Sequence, residues 1–376
     1  MKHPRRIAVA LGASSLMVAA SLGTTAAQDL VPVSAVLQWV PQAQFAGYYA
    51  AKAQGYWEAQ GLDVTLIDGG PDVAPQVVGS DANGPEFAIS WAPRVLAVRD
   101  PSSDLKSDLV NIGQILQRSG TLSVSWAPGA GPDPVSDTTV ATPSDFKGKK
   151  IGVWDFGNEY EVTAAATAAG LTQGTDYEKV IQAFDMSGLL NREIDAAEAM
   201  IYNEYAQVLE TTNPKTGKLY QPSDLTVIDY NQVGTAMLQD AIHARASWLA
   251  EAGNEDIAVK FLVGAFQGWM YCRDNPDACV QYTVDAGSTL GLGHQKWMMN
   301  EINALIWPSP EGIGAMPKAT WDTTVQIMTT AGLLTAPPTA DAYRTDLADK
   351  ARALITGDTV GADFVKGTVE VTAGGE

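Results

Sequence analysis

The hydrophobic residues along this chain follow two spacings in turn, one typical of β-strands and the other of amphipathic α-helices. Residues 34–39 (SAVLQW) predict a strand, residues 45–60 (FAGYYAAKAQGYWEAQ) predict a helix closed by the glycine that follows, and residues 62–67 (LDVTLI) predict the next strand. The same succession predicts a strand at 87–90 followed by a helix at 93–98, and a strand at 151–154 followed by a helix at 159–169. Further strands are predicted at 199–202 and 225–229. Alternating strands and helices predict an α/β fold with mainly parallel sheets, whose ligands bind beyond the carboxyl ends of the strands.

Two polar segments interrupt this succession. Residues 127–145, rich in Pro, Gly, Ser and Thr, and residues 211–224 both predict surface loops, at the two ends of a second α/β unit. The rest of the chain has helical spacing, with helices predicted at 240–250, 257–272, 278–286 and, broken by two prolines, from 320 to about 354. We therefore expect an α/β half, a second α/β half, and helices that return to cover the first.

The first residues have the order of a secretory signal peptide. Lys2, Arg5 and Arg6 form a basic start, residues 7–22 an apolar stretch, and residues 25–27 a run of small side chains suited to a signal peptidase. The alternative is a membrane anchor, but Gly and Ser residues interrupt a stretch that barely reaches the roughly 20 apolar residues a span needs. We predict that residues 1–27 are removed on export to the periplasm.

Composition and charge narrow the function classes. Of the 376 residues 46% are hydrophobic and 18% charged, which provides enough apolar material for two domains with buried cores. Asp and Glu number 43 against 24 Lys and Arg, for a formal net charge of −19. A chain this acidic lacks the basic footprint that binds a polyphosphate, so nucleic acid is excluded as a direct partner.

The two cysteines, Cys272 and Cys279, enclose RDNPDA, in which Asn275 and Pro276 should end one helix and begin the next. Such a turn can bring the two sulfurs together, so we predict a disulfide, with two free buried thiols as the alternative. The cysteines and the three histidines show no spacing typical of metal ligands, and no metal site is expected.

Sequence motifs of catalysis do not support an enzyme, because G-x-S-x-G, a P-loop, a dinucleotide glycine fingerprint and a histidine cluster are all missing from the sequence. No cofactor is expected. Instead, aromatic and amide side chains follow the predicted strands, as at Trp39, Trp91 and Tyr202. Core packing is the alternative for each of these rings, and it is favoured for aromatic residues at helical spacing, such as Tyr49 and Trp57.

A turn at Gly157 joins the strand at 151–154 to the helix that follows, in the segment WDFGNE. Backbone N–H groups at the start of a helix lack partners within it, so this turn can hold an anionic or carbonyl-bearing group. The alternative is that Asn158 caps the helix. Asp155 and Glu159 flank the turn and would oppose a phosphate dianion unless they face away.

Several of these segments resemble periplasmic solute-binding proteins of ABC importers. The matching stretches are WVPQAQFAGYYAAKAQGYWEAQGLDVTL from residue 39, GGPD at 69–72, FAISWAPRVLA at 87–97, GKKIGVWDFGNEYE at 148–161 and MIYNEYAQ at 200–207. The chain is similar to the branch of thiamine-pyrimidine-precursor-binding proteins and the related pyrimidine synthase, with alkanesulfonate binders as distant kin. The likeness extends over nearly the whole mature chain.

The resemblance implies the type 2 periplasmic-binding fold: two α/β lobes, joined by two crossover segments, with additional C-terminal helices. We expect residues 28–125 and 233–335 to form the first lobe, residues 126–232 the second, and residues 336–376 a C-terminal helical tail. The implied partners are a small heterocyclic ligand and the permease of the importer, and a monomer is expected.

The resemblance also implies a ligand site with a side on each lobe. Its residues would be Trp39, Gln42, Gln44, Phe45, Tyr48 and Trp91 on the first lobe, and Gly157, Asn158, Tyr202 and Glu204 on the second. Aromatic rings suit a flat heterocycle, and Glu204 would accept hydrogen bonds from an amino-pyrimidine edge.

The chain departs from its enzyme relatives at two places. The synthases carry a pyridoxal-bearing lysine near the strand at 87–90 and a Cys-rich iron motif in the second lobe, whereas here FAISWAPR lacks Lys and residues 126–232 lack Cys. We therefore predict a binding protein, not an enzyme, for a thiamine-pyrimidine precursor or a related aromatic compound. A sulfonate or flavin-type ligand, and a role in sensing instead of import, stay open.

Overall fold

The computed structural model describes Met1 and residues 30–132, 138–155 and 157–376. The predicted signal peptide, residues 1–27, lies outside the described residues apart from Met1. The strands are β1 Val31–Val36, β2 Leu62–Ile67, β3 Phe87–Trp91, β4 Leu109–Gln114, β5 Thr121–Trp126, β6 Lys150–Val153, β7 Glu178–Ile181, β8 Ala196–Met200, β9 Leu225–Asp229 and β10 Asp240–Arg245. The α-helices are α1 Ala46–Ala53, α2 Pro75–Val78, α3 Ala92–Arg99, α4 Tyr160–Ala168, α5 Ser187–Leu190, α6 Glu204–Leu209, α7 Tyr230–Val233, α8 Ala246–Leu249, α9 Asn254–Asp274, α10 Pro276–Asp285, α11 Leu292–Ile306, α12 Lys318–Thr330 and α13 Asp346–Leu354.

The strands form two sheets with the same internal arrangement. The first has the order β2-β1-β3-β10-β4 and the second β7-β6-β8-β5-β9. In each, three parallel strands are followed by an antiparallel one, which is β10 in the first sheet and β5 in the second. We call each sheet with its covering helices a lobe. The predicted pair of α/β lobes is confirmed.

Two segments connect the lobes, one between β4 and β5 and the other between β9 and β10. They lie side by side, since Asn231 Nδ2 donates to Ser119 O at 2.9 Å and the Gly120 amide donates to Gln239 Oε1 at 2.8 Å. Each segment delivers the antiparallel strand of the lobe it enters. The two crossovers predicted from the family resemblance are therefore present.

The prediction of a helix at residues 240–250 is wrong for its first half. Asp240–Arg245 is the strand β10, and all six of its residues are buried between β3 and β4. A strand covered on both faces loses the alternation of polar and apolar residues, so its pattern cannot be told from that of a buried helix. Only Ala246–Leu249 is helical.

The lobe boundary and the tail also differ from the expectation. β5 pairs with β8 and β9, so the N-terminal part of the first lobe ends before residue 121 instead of at 125. Helix α13 packs on α9, but residues 355–372 contain no helix, and the Gly374 amide then donates to Glu210 O of the second lobe at 3.0 Å. The tail is thus largely an extended segment that runs from one lobe to the other.

The first lobe has a large aromatic core in which α1 lies very close to α9. A Cβ atom on Gly47 would fall 2.1 Å from the Trp269 ring, and one on Gly268 would fall 2.0 Å from Gly47 O. The helices therefore need glycine at both positions. Much of the F-A-G-Y-Y segment consequently serves helix packing.

The predicted disulfide is present and links α9 to the first turns of α10. Cys272 and Cys279 are fully buried, and their Cα atoms lie 5.5 Å apart. Among the described residues, no helix combines the length and apolar character that crossing a membrane requires.

Candidate ligand-binding cleft

A cleft of about 440 Å³, including its mouth, lies between the two lobes. It opens where β1, β3, β6 and β8 end, as expected for parallel strands. The first lobe contributes Gln38, Trp39, Gln42, Gln44, Trp91 and Arg94, and the second contributes Trp154, Asn158, Phe184, Met200, Tyr202, Asn203 and Glu204.

Aromatic side chains from both lobes form the walls. At the mouth, Trp39 of the first lobe meets Phe184 of the second, with ring centroids 4.8 Å apart and planes inclined by 54°. Deeper in the cleft, Trp154 is fixed by a hydrogen bond from its indole Nε1 to Ala183 O at 3.0 Å. The contact between Trp39 and Phe184 therefore joins the two lobes directly across the opening.

A chain of hydrogen bonds between buried side chains runs from the cleft to Asp240 at the start of β10. Gln42 Nε2 donates to Gln44 Oε1 at 2.6 Å, and Gln44 Nε2 donates to Asp240 Oδ2 at 2.7 Å. Burial raises the pKa of Asp240 to about 7, against the opposing effects of the Gln44 hydrogen bond and the Arg94 charge. Asp240 Oδ1 has no hydrogen-bond partner among the described residues.

Arg94 lies in the first turn of α3, directly after β3, and only 9% of the residue is exposed. Its guanidinium carbon sits 5.2 Å from the centre of the Trp91 ring, and its Nε is buried without a hydrogen bond. Burial lowers the pKa of Arg94, while nearby acids, Asp240 first among them, oppose that change. A buried cation therefore faces the cleft.

Glu204 begins α6 on the opposite wall and is also buried. Its Oε2 accepts a hydrogen bond from the Met200 amide at 3.0 Å. Burial raises the pKa of Glu204 to about 7, against hydrogen bonds from backbone amides and the charge of His294. Next to it, Asn203 Oδ1 lies 2.9 Å from His294 Nε2, so helix α11 holds this wall in place.

Seven of the ten residues expected at the site line this cleft, namely Trp39, Gln42, Gln44, Trp91, Asn158, Tyr202 and Glu204. Phe45 and Tyr48 do not, because they face the first-lobe core, where Tyr48 packs edge-on against Trp269 with ring centroids 5.6 Å apart. Gly157 does not line it either, and its amide already donates to Glu159 Oε2 at 2.9 Å. The turn amide is thus engaged within the protein, contrary to the expected anion site.

The cleft also contains residues that the sequence analysis did not assign to it: Gln38, Arg94, Trp154, Phe184, Met200 and Asn203. Trp154 directly follows β6, and Arg94 lies in the first turn of the helix after β3, so their position near strand ends could have identified them. Phe184 follows the edge strand β7, which the sequence pattern did not reveal. Within residues 30–132, 138–155 and 157–376, no group of three or more His, Cys, Asp or Glu side chains could hold a metal ion.

Comparison with known proteins identifies the family. A sequence profile described as NMT1/THI5 like matches residues 42–279, more than half of the chain. The chain belongs to the NMT1/THI5 like family. The family resemblance noted in the sequence is confirmed at this level.

One relative of this NMT1/THI5 like protein is riboflavin-binding protein RibY of Chloroflexus aurantiacus, 23% identical over 318 residues that cover 82% of this chain and 83% of RibY. Among solved structures, the alkanesulfonate-binding protein SsuA of Xanthomonas axonopodis bound to MOPS has a TM-score of 0.58 at 13% identity, covering 84% of this chain and 99% of SsuA. A ligand-binding component of an ABC-type import system from Staphylococcus aureus has a TM-score of 0.57 at 12% identity, covering 85% and 99%.

These solved structures establish the periplasmic-binding fold for the NMT1/THI5 like chain. The same fold also occurs in an enzyme, the desulfurization enzyme DSZB, with a TM-score of 0.54 at 12% identity over 86% of this chain and 99% of that one. The fold alone therefore does not distinguish a binding protein from an enzyme, and the distinction depends on the residues that line the cleft.

Proposed function

We propose that this protein is the substrate-binding component of an ABC importer and captures a small flat heterocycle between its two lobes. The observation that carries the proposal is the cleft itself, whose walls bring three tryptophans, Tyr202 and Phe184 together from both lobes. Contact between aromatic rings contributes roughly 0.5–1.5 kcal/mol per pair beyond the burial of area. Capture between two lobes also matches the binding roles named for RibY, SsuA and the Staphylococcus protein.

Two heterocycle classes are candidates. A thiamine-type pyrimidine agrees with the family resemblance, and Glu204 would then accept hydrogen bonds from its amino group. A flavin is favoured by the likeness to RibY, which extends over most of both chains. The likeness to SsuA supports a sulfonate less well, because the Gly157 amide, the expected anion site, already binds Glu159.

The N-terminal sequence and the disulfide support the periplasm as the location of the protein. A leader with a basic start, an apolar stretch and small residues directs export, and the Cys272–Cys279 bond is of the kind that persists in the oxidising periplasm. In that location, closure of the lobes would present the loaded protein to the permease.

Binding is favoured over catalysis by the chemistry of the cleft. The described residues that line it are aromatic, amide, carboxylate, guanidinium and thioether side chains, with Trp91 and Arg94 where the synthases have their lysine region. The matching segment FAISWAPR contains neither Lys nor His. A sensing role would use the same cleft, and a partner other than a permease would distinguish it.

Native mass spectrometry of the protein purified from its own periplasm tests the proposal. We expect a co-purified heterocycle, and a panel of pyrimidines, flavins and sulfonates should then raise the unfolding temperature. A ligand at 100 times its Kd adds about 2.7 kcal/mol of stability. Stabilisation by none of the heterocycles would contradict the proposed ligand class.

A further inference from the structure

The guanidinium of Arg94 lacks an acceptor within the protein. Arg94 makes no hydrogen bond or ion pair among the described residues, and its Nε is buried without a partner beside Trp91. A guanidinium carries five N–H donors, and burial of its charge without hydrogen-bond partners is unfavourable. The N–H groups of Arg94 are therefore available to a hydrogen-bond acceptor on a ligand in the cleft.

Each acid around Arg94 accepts a hydrogen bond from another donor through one of its oxygens, while Asp240 Oδ1 and Glu198 Oε1 are buried without a partner among the described residues and do not bond Arg94 either. Asp240 Oδ2 accepts from Gln44 at 2.7 Å, Glu198 Oε2 from the Trp154 amide at 2.9 Å, and Glu159 Oε2 from the Gly157 amide at 2.9 Å. All three act on Arg94 through their charge and not through a hydrogen bond. A neutral carbonyl oxygen can accept from Arg94 without placing a further negative charge beside these carboxyl groups, which a sulfonate or phosphate would do.

The hydrogen bonds that end at Asp240 fix the orientation of the Gln42 side-chain amide in the cleft. Asp240 Oδ2 accepts from Gln44, so Gln44 presents its NH₂ to Asp240 and its oxygen to Gln42. Gln42 in turn uses its NH₂ to reach Gln44. Gln42 Oε1 then has no partner among the described residues, and Gln42 lines the cleft. The cleft thus offers an acceptor here, next to the donors of Arg94.

We propose that Arg94 and Gln42 together recognise the C(=O)–N–H edge of a cyclic amide or imide. Arg94 donates to the ring carbonyl, and Gln42 Oε1 accepts from the ring N–H. Asp240 and Gln44 do not touch the ligand and are positioning residues, which hold the Gln42 amide in the accepting orientation. The inference rests on the proposed capture of a heterocycle and specifies which edge chemistry the cleft selects.

The test compares four probes on the full-length mature protein by calorimetry. Riboflavin and 5-hydroxymethyluracil carry an imide edge, N3-methylriboflavin has that N–H blocked, and 4-amino-5-hydroxymethyl-2-methylpyrimidine has no ring carbonyl. We expect at least one imide probe to bind. We also expect N3-methylation to weaken riboflavin binding at least tenfold, or 4-amino-5-hydroxymethyl-2-methylpyrimidine to bind at least tenfold more weakly than 5-hydroxymethyluracil.

Variants separate the roles of the side chains. Arg94→Met should weaken binding of the imide probe at least tenfold, whereas Arg99→Met on the same helix, where Arg99 bonds Leu109 O at 2.7 Å, should leave it unchanged. Asp240→Asn frees the Gln44 amide to turn, so it should reduce the preference for the imide over its N-methylated or carbonyl-free counterpart. A merely structural role of Asp240 would lower stability and leave that preference intact.

The failures are distinguishable. If the protein binds none of the four probes, the proposed heterocycle class falls and this inference falls with it. If it binds 4-amino-5-hydroxymethyl-2-methylpyrimidine as well as the imides, or if Arg94→Met binds the imide normally, heterocycle capture stands and the imide-edge assignment is wrong. Tight binding of hexanesulfonate that is lost in Arg94→Met would likewise overturn the assignment of a neutral carbonyl.

Discussion

The two lobes have the same strand arrangement but differ in what fills their interiors. In the first lobe, Phe261 stacks on Phe87 with ring centroids 3.9 Å apart and on Trp57 at 5.2 Å. The second lobe buries two carboxyl groups, Glu161 and Glu198, beside its sheet, whereas the buried carboxyl group in the sheet of the first lobe is Asp240 at the start of β10. One topology therefore supports a first lobe with stacked aromatic rings at its centre and a second lobe with two carboxyl groups whose pKa is raised by burial.

Glu161 of the second lobe bonds to both of the crossover segments that connect the lobes. Ser119 Oγ donates to both carboxyl oxygens of Glu161 at 2.8 Å, and the Met237 amide donates to its Oε1 at 3.0 Å. Ser119 belongs to one crossover and Met237 to the other, so a single side chain of α4 contacts both. Burial raises the pKa of Glu161 to about 8, against these hydrogen bonds.

The largest expected effect comes from matched truncations of buried phenylalanines. Phe261→Ala in the first lobe should cost about 5 kcal/mol of unfolding free energy, and Phe146→Ala in the second about 3 kcal/mol. Both side chains are fully buried, but within the described part of the chain Phe146 has a single ring neighbour, Tyr177, with ring centroids 5.9 Å apart. Urea unfolding measures both, and an equal or larger loss for Phe146→Ala would contradict the comparison.

Removing the disulfide should have the next largest effect. The double variant Cys272→Ala, Cys279→Ala opens a small loop in the first lobe, whose closure stabilises by about 2.5 kcal/mol in the chain-entropy model. We expect that loss in chemical denaturation, with ligand affinity unchanged because neither residue lines the cleft. Reduction of the parent protein should reproduce the loss, and a fall in affinity would show that the link acts on the cleft.

Glu161 in the second lobe should make a distinct contribution to the pH dependence of stability. The pKa of Glu161 is raised from 4.5 to about 8, so between these values the folded protein holds a proton that the unfolded chain has released. Its stabilising contribution is complete below pH 4.5 and is lost as pH rises to about 8, with a slope of up to about 1.4 kcal/mol per pH unit.

Glu161→Gln should therefore flatten the fall in stability between pH 5 and 8 by about one proton, as measured by urea unfolding at several pH values. The exposed Glu178→Gln on β7 of the same lobe is the matched control and should keep the slope of the parent protein. A slope that Glu161→Gln leaves unchanged would place the pH sensitivity elsewhere.

The smallest expected effects concern the two walls of the cleft. Trp39→Ala on the first lobe and Glu204→Ala on the second should each weaken ligand binding about tenfold, or roughly 1.4 kcal/mol, with the fold retained. Titration calorimetry with the co-purified ligand measures both, and Glu178→Ala serves as the control outside the cleft. If both variants bind normally, the ligand occupies another site.

Much of the architecture could be predicted from the sequence because strands such as β2 and β9 are short apolar runs bounded by turns. β10 could not, because its burial on both faces removes the pattern that marks a strand. β7 was missed for the opposite reason, since its residues lie at a sheet edge and are half-buried or exposed. Burial on both faces does not always prevent prediction, since β3 and β8 are also buried throughout and strands were predicted there, whereas the equally buried β4 and β5 were not predicted.

The cleft was predicted less completely than the fold. Trp91, at the end of β3, and Tyr202, shortly after β8, line the cleft because topology dictates where strand ends meet. Phe45 and Tyr48 were assigned wrongly to the cleft lining because the motif that contains them serves helix packing as well as the cleft. Arg94 lacks a hydrogen bond among the described residues because three acids that are far from it in sequence bond to other donors in the fold. No local sequence pattern reveals such an arrangement.

The position of β10 in the first sheet has a consequence for the order in which the lobes are completed. β10 lies between β3 and β4, and the whole second lobe precedes it in the chain. When the chain is made from its N-terminus, β3 and β4 therefore lack the strand that lies between them until residue 245 has been added. The second lobe, whose strands run from β5 to β9, can be complete before that, so the lobe that begins the chain is the last to close.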